Sequence, residues 1–118
     1  GTSWGTFAIL VPIVINMFAE SDQTMMIIAV SSVLAGAVCG DHLSPISDTT
    51  IMSSSGAQSN HINHVRTQMQ YAFVVIVVCV AGYLIAGFTK SWWITLISSL
   101  VLLTCVLLVI RKRELSKK

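Results

Sequence analysis

From Tyr71 to Phe88 no residue carries a charge, and at ~1.5 Å rise a helix over this run is about 27 Å long, close to the hydrocarbon thickness of a bilayer. A second uncharged run, Trp92 to Ile110, opens on two tryptophans where an aromatic belt would sit and closes on Arg111, Lys112 and Arg113. The link Thr89 to Ser91 is long enough only for a tight hairpin, so two antiparallel spanning helices are expected over 71–88 and 92–110, followed by a basic cytoplasmic tail over 111–118. The rest of the chain agrees: 54% of it is hydrophobic and 10% charged, against about a quarter charged in a soluble domain. Its net charge of +2 reflects the basic tail and gives no reason to expect nucleic acid as a partner. Under the positive-inside tendency the C-terminus is cytoplasmic, Lys90 lies outside, and Arg66 returns the start of the Tyr71 helix to the inside. Cys39, Cys79 and Cys105 stand singly with no CxxC spacing and read as small buried hydrophobes.

The first half is patterned differently. Phe7 to Ala19 is a short apolar run containing Pro12, preceded by Gly1-Thr2-Ser3-Trp4-Gly5-Thr6, whose glycines and hydroxyls predict a non-helical tip before a half-helix. Glu20 to Gln23 reads as a turn at a membrane face. Thr24 to Cys39 resumes as an apolar helix with Ala35, Gly36 and Ala37 suited to close helix contact, and it is expected to stop at Gly40-Asp41-His42. Ser44-Pro45 then predicts an N-cap and first helical residue, starting a short helix toward Ser55 or Gly56. One helix from Thr24 to Ser55 would be roughly 48 Å long, well beyond a bilayer, so a break is required. Residues 1–56 thus form a broken-helix region, and the polar stretch 57–70 is expected to be a cytoplasmic loop.

The broken region holds the chemistry. A carboxylate at membrane depth costs several kcal/mol unless it is paired, hydrated or coordinating, and Asp41, His42 and Asp48 lie beside membrane-grade helix. Ser44, Ser47, Thr49 and Thr50 add neutral oxygens, and a broken helix adds unpaired backbone groups. Hard oxygen ligands suit a hard cation such as sodium. Desolvation favours the protonated form of a carboxyl group and a bound cation favours the carboxylate, so one aspartate can hold either. That competition is a minimal antiport mechanism. The plainer alternatives are that Asp48 is only a helix cap or a partner of His42, and that Asp41 ends a helix near interfacial water. His61 and His64, three residues apart, could face a metal from a helix but more often such a pair lies on a solvated face. Arg66 reads as a headgroup anchor.

Three segments in order, GTSWGTF at Gly1 to Phe7, GDHLSPISDTTIMSSSGA at Gly40 to Ala57 and NHINHVRTQ at Asn60 to Gln68, resemble the C-terminal region of the NhaC family of sodium/proton antiporters. The resemblance covers roughly the first 75 residues. It implies an all-α polytopic fold of the ion transporter superfamily, with inverted repeats, re-entrant hairpins and discontinuous helices. It also implies that Gly1 to Phe7 is a polar tip, which brings in Ser3 and Thr6, and that Asp41 and Asp48 are the ion-coupled carboxylates. Leu43, Asn63 and Gln70 depart from the Cys, Asp and Pro frequent in that pattern; Leu43 removes a soft ligand and Asn63 a loop carboxylate. The family includes exchangers of organic acids such as malate for lactate, and the absence of any basic residue between Gly1 and His64 favours a bare cation over an anion.

The expected function is therefore sodium/proton exchange by a secondary transporter of the bacterial plasma membrane, with sodium-coupled organic-acid exchange as the alternative. Its ion-binding residues would be Asp41, Asp48, His42, Ser44, Ser47, Thr49, Ser3 and Thr6, with sodium held at Asp41 and Asp48. No cofactor is expected, sodium and protons being the substrates. Expected partners are lipid and an N-terminal half of the same transporter, or a second copy of the chain in a homo-oligomer. An intramembrane aspartyl protease is disfavoured, since Asp41 follows Val-Cys-Gly and no Tyr-Asp pair occurs. Within the site, Asp41 at a helix end is the expected proton carrier, and Asp48 at a helix start among hydroxyls the expected resident cation ligand.

Overall fold

A computed structural model of the chain describes residues 2–116. Five helices follow in order: α1 (Ser3–Phe18), α2 (Gln23–Leu43), α3 (Asp48–Gly56), α4 (His61–Thr89) and α5 (Trp92–Leu115). The chain divides into two units, Gly1–Phe73 and Val74–Lys118, with the boundary inside α4. Three helices, α2, α4 and α5, are long and apolar enough to cross a membrane. The fold is that of an all-helical polytopic membrane fragment.

In the first unit, α1 and α2 are joined by a short turn and pack side by side. The non-helical tip expected before Phe7 is not found. Thr2 takes an extended conformation and α1 begins at Ser3, with the Thr6 hydroxyl donating to the Thr2 carbonyl at 3.0 Å. One interior glycine, Gly5, costs a helix about 1 kcal/mol, too little to keep this turn unwound. Gly1 lies outside the described residues. Pro12 sits in the interior of α1, where it withholds one backbone donor.

The helix break also falls later than expected. α2 continues through Gly40, Asp41 and His42 and ends at Leu43, because the ring of Pro45 pushes Ser44 into extended backbone (φ −80°, ψ 125°). Ser44 to Ser47 form a turn in which the Ser47 N–H donates to the Ser44 carbonyl and the Ile46 N–H to the Ser44 hydroxyl, both at 3.3 Å. Pro45 thus occupies the second turn position, which its fixed φ favours, rather than the first turn of a helix. The N-cap of α3 is Ser47, not Ser44.

The loop expected over 57–70 is confined to Ala57–Asn60. Gln58 takes a left-handed conformation (φ 52°) and the Ser59 N–H closes back on the Ser54 carbonyl at 3.0 Å, ending α3. The side chain of Asn60 then accepts the Asn63 N–H at 3.2 Å, so α4 starts at His61 and its first turns are polar helix rather than loop. The expected basic tail is likewise helical through Leu115: Arg, Lys, Glu and Leu are strong helix formers, and cations suit a helix C-terminus. Lys117 and Lys118 lie outside the described residues.

In the second unit, Lys90 in left-handed backbone (φ 50°) and Ser91 make the only break between α4 and α5, which forces the hairpin expected there. Val78, Gly82 and Ala86 form the buried stripe of α4, one residue per turn. A Cβ on Gly82 would lie 2.6 Å from Ser99 Oγ of α5, so the hairpin closes where one helix lacks a side chain.

The polarity is inverted relative to a soluble domain. Trp4 and Phe88 are 80% and 88% exposed, whereas the buried positions of the first unit include Asp41, Ser47, Thr50 and Ser54. Apolar groups outside and polar groups inside are what a hydrocarbon solvent selects.

Candidate functional site

Asp41 stands in the last turn of α2 and is 5% exposed. Both of its carboxyl oxygens are engaged from across the break: Ser47 Oγ donates to Oδ1 at 2.6 Å and Thr49 Oγ1 donates to Oδ2 at 2.9 Å. The local sequence explains the arrangement. Pro45 ends α2 and turns the chain, so that the N-cap of α3 and its second residue come back over the end of α2. A serine at an N-cap ordinarily spends its hydroxyl on a backbone N–H of its own helix. Ser47 makes no such cap bond, and its hydroxyl, fully buried, is given to Asp41 instead.

The two hydroxyls also touch each other, with Ser47 Oγ and Thr49 Oγ1 2.7 Å apart. The carboxyl group and two hydroxyls thus form a ring with three oxygen–oxygen contacts. Each hydroxyl has one proton, so three contacts need a third proton, which a protonated Asp41 supplies. When Asp41 is ionised, two protons serve three contacts, and two lone pairs face each other. A cation placed among these oxygens satisfies the same deficit. With the carboxylate ionised, the three contacts are thus one proton short.

The other expected residues do not join the hydrogen bonds of this ring. Asp48, the first residue of α3, is exposed, and its Oδ1 accepts the N–H of Thr49 at 2.9 Å. The hydroxyls expected around Asp48 converge on Asp41. His42 turns its Nδ1 to the Val38 carbonyl one turn back at 2.8 Å; a carbonyl only accepts, so Nδ1 carries the proton. Ser44 serves the turn, and Thr6 binds the backbone of its own helix. The hydrogen bonds of the Asp41 ring include neither Ser3 nor Thr6.

His61 holds the turn from the other side. Its Nε2 lies 2.7 Å from the Pro45 carbonyl and its Nδ1 2.9 Å from the Ser54 hydroxyl. Nε2 must donate to the carbonyl, so one ring ties the break to both α3 and α4. The i, i+3 pair of His61 and His64 is thereby divided, and no group of three or more metal-ligating side chains occurs among the described residues. Sequence reasoning missed this role. The available signal was the i, i+4 pairing of Thr49 with Ser53 and Thr50 with Ser54, which gives α3 a polar face toward its neighbours.

Three apolar helices long enough to span a bilayer, and a helix break at which a carboxylate is buried and bonded by two hydroxyls, define the class as a polytopic membrane protein. The chain belongs to the Na+/H+ antiporter family, whose family model matches residues 1–88. It is similar to an uncharacterized protein of Haemophilus influenzae, 47% identical over 113 residues, covering 96% of this chain and 22% of that protein. It is also similar to the malate-2H(+)/Na(+)-lactate antiporter of Bacillus subtilis, 31% identical over 88 residues, 75% of this chain and 19% of that protein. The chain spans about a fifth of the length of these curated relatives. No solved structure matches.

Proposed function

We propose that this segment carries the ion-coupling site of a secondary transporter that exchanges sodium for protons across a bacterial plasma membrane, with the end of α5 in the cytoplasm. The observation that carries this reading is the ring of Asp41, Ser47 and Thr49, which lacks one positive charge when the carboxylate is ionised. A proton binds the ring on one side of the membrane and sodium on the other; because the two compete, movement of one drives movement of the other, provided the site opens alternately. Ser47 and Thr49 are positioned by the Pro45 turn and act as neutral oxygen ligands. Asp48 is a surface carboxylate near the approach rather than a second member of the site. Family membership and the neutral oxygen donors support this over an enzymatic role. The orientation follows the basic residues Arg111, Lys112 and Arg113 at the end of α5.

The malate/lactate relative from Bacillus subtilis favours a second reading, in which the same site couples sodium and protons to a carboxylate-bearing solute. Both are tested with the full-length transporter in inverted membrane vesicles holding an imposed pH gradient. Dissipation by sodium chloride alone supports sodium/proton exchange. Dissipation that needs malate or lactate on opposite faces transfers the assignment to the second reading.

A further inference from the structure

His61 ties the turn between α2 and α3 to both α3 and α4 through a chain of hydrogen bonds whose protons can be assigned one by one. Its Nε2 lies 2.7 Å from the Pro45 carbonyl, its Nδ1 lies 2.9 Å from Ser54 Oγ, and the Ser54 hydroxyl donates to the Ile51 carbonyl at 2.9 Å. Both carbonyls only accept, so Nε2 and Ser54 each commit a proton outward. The contact between Nδ1 and Ser54 Oγ then needs a third proton. A neutral imidazole brings one and the serine one; an imidazolium brings the other, on Nδ1, and completes all three bonds. Ser54 is 1% exposed, so water does not replace a bond lost at its oxygen. His61 is half-buried and Pro45 exposed, which leaves the ring able to exchange a proton with water.

We infer that His61 is a proton-operated clasp on the helix break: the imidazolium fastens the 44–47 turn to α3 and α4, and the neutral ring releases one of the bonds. Once the Nδ1 proton has gone to water, Ser54 has two arrangements. It gives its hydroxyl to Nδ1 and leaves the Ile51 carbonyl, or it keeps that carbonyl and sets its lone pairs against Nδ1. The network is one bond short either way. Histidine is the side chain suited to change charge near neutral pH. The fastened turn presents Ser47 and Thr49 to Asp41, so its loosening reaches the ring; that consequence, unlike the clasp itself, rests on the reading of Asp41 as the coupling site. The other titratable or charged side chains at this end of the unit are Asp41 and His42 on α2, Asp48 on α3, and His64 and Arg66 on α4; α1 and the 44–47 turn have none. Arginine keeps its charge at every pH used, so the carboxylates and the two histidines are the rival sources of any pH step.

The test is backbone hydrogen exchange of the full-length transporter in detergent, followed by mass spectrometry on the peptide covering Ser44 to Ser55, from about pH 5.5 to about pH 8.5 and corrected for the intrinsic exchange rate. Protection should fall several-fold through a single proton step as the pH rises. Ser54→Ala leaves the ring only its Pro45 bond, which one proton serves, so it should remove the step. His61→Gln should remove it too, because its amide donates to the carbonyl and accepts from the hydroxyl at every pH; where that variant fails to fold, Ser54→Ala decides. His42→Gln, His64→Gln and Asp48→Asn should keep the step. Its absence from the wild type, or its survival in either Ser54→Ala or a folded His61→Gln, would overturn the clasp. A step that Asp41→Asn removes and Ser54→Ala retains belongs to the carboxylate ring, so the clasp falls and the coupling site stands. A step that Asp41→Asn keeps and Ser54→Ala removes, with normal sodium-driven exchange by Asp41→Asn, leaves the clasp standing and removes the coupling site.

Discussion

Ser47 Oγ lies 2.6 Å from Asp41 Oδ1, although five residues and a proline turn separate them and Ser47 is placed to cap its own helix. The serine has exchanged a local bond to α3 for one across the break. Its replacement therefore reports on the ion site and on helix ends separately.

Ser47→Ala removes one of the two hydroxyls on the buried carboxyl group, and a hydrogen bond to a charged group contributes about 1.5–3 kcal/mol. We expect the KM for sodium to rise roughly ten- to a hundredfold, since 1.4 kcal/mol corresponds to tenfold. Ser47→Thr, which keeps the hydroxyl, should recover most of it. Sodium titrations of vesicle exchange measure this, and equal KM values for Ala and wild type would remove Ser47 from the site.

His61 acts through the turn. With Nε2 on the Pro45 carbonyl and Nδ1 on Ser54, His61→Ala frees the segment that presents Ser47 and Thr49. Exchange should fall at least tenfold while the protein still reaches the membrane, and limited proteolysis should cut faster between Ser44 and Ser47. Unchanged exchange with unchanged proteolysis would show that the turn holds itself.

Gly82 and Ser99 form a steric pair in the C-terminal hairpin. An alanine at Gly82 puts its Cβ 2.6 Å from Ser99 Oγ but 3.6 Å from Ser99 Cβ, so the conflict is with the hydroxyl alone. Gly82→Ala should lower thermal stability in detergent by about 1–3 kcal/mol, and adding Ser99→Ala should return most of that. Additive losses in the double variant would place the conflict elsewhere.

The sequence allowed the spanning runs to be located closely, because lipid leaves few ways to bury charge: Tyr71 to Phe88 and Trp92 to Ile110 fall inside α4 and α5. The need for a break before Gly56 was legible from length alone. Its position was not. Gly40 and Asp41 look like helix breakers in isolation, but Asp41 remains helical because its side chain finds partners in α3, a tertiary effect that local propensity does not encode. The same cause explains why hydroxyls expected around Asp48 gather on Asp41: one turn at Pro45 decides which aspartate they face. Likewise the polarity of 61–70 predicts water, not loss of helix, and Asn60 starts α4 at His61 all the same.

Asp41→Asn tests the central claim most directly, with Asp48→Asn as its control. Asparagine is close in shape to a protonated aspartate and can close the ring with Ser47 and Thr49, so the variant should fold while remaining neutral at every pH. In inverted vesicles, sodium should fail to dissipate the imposed pH gradient for Asp41→Asn, and Asp48→Asn should retain more than half of the wild-type response. Normal exchange by Asp41→Asn, or loss confined to Asp48→Asn, would contradict the account.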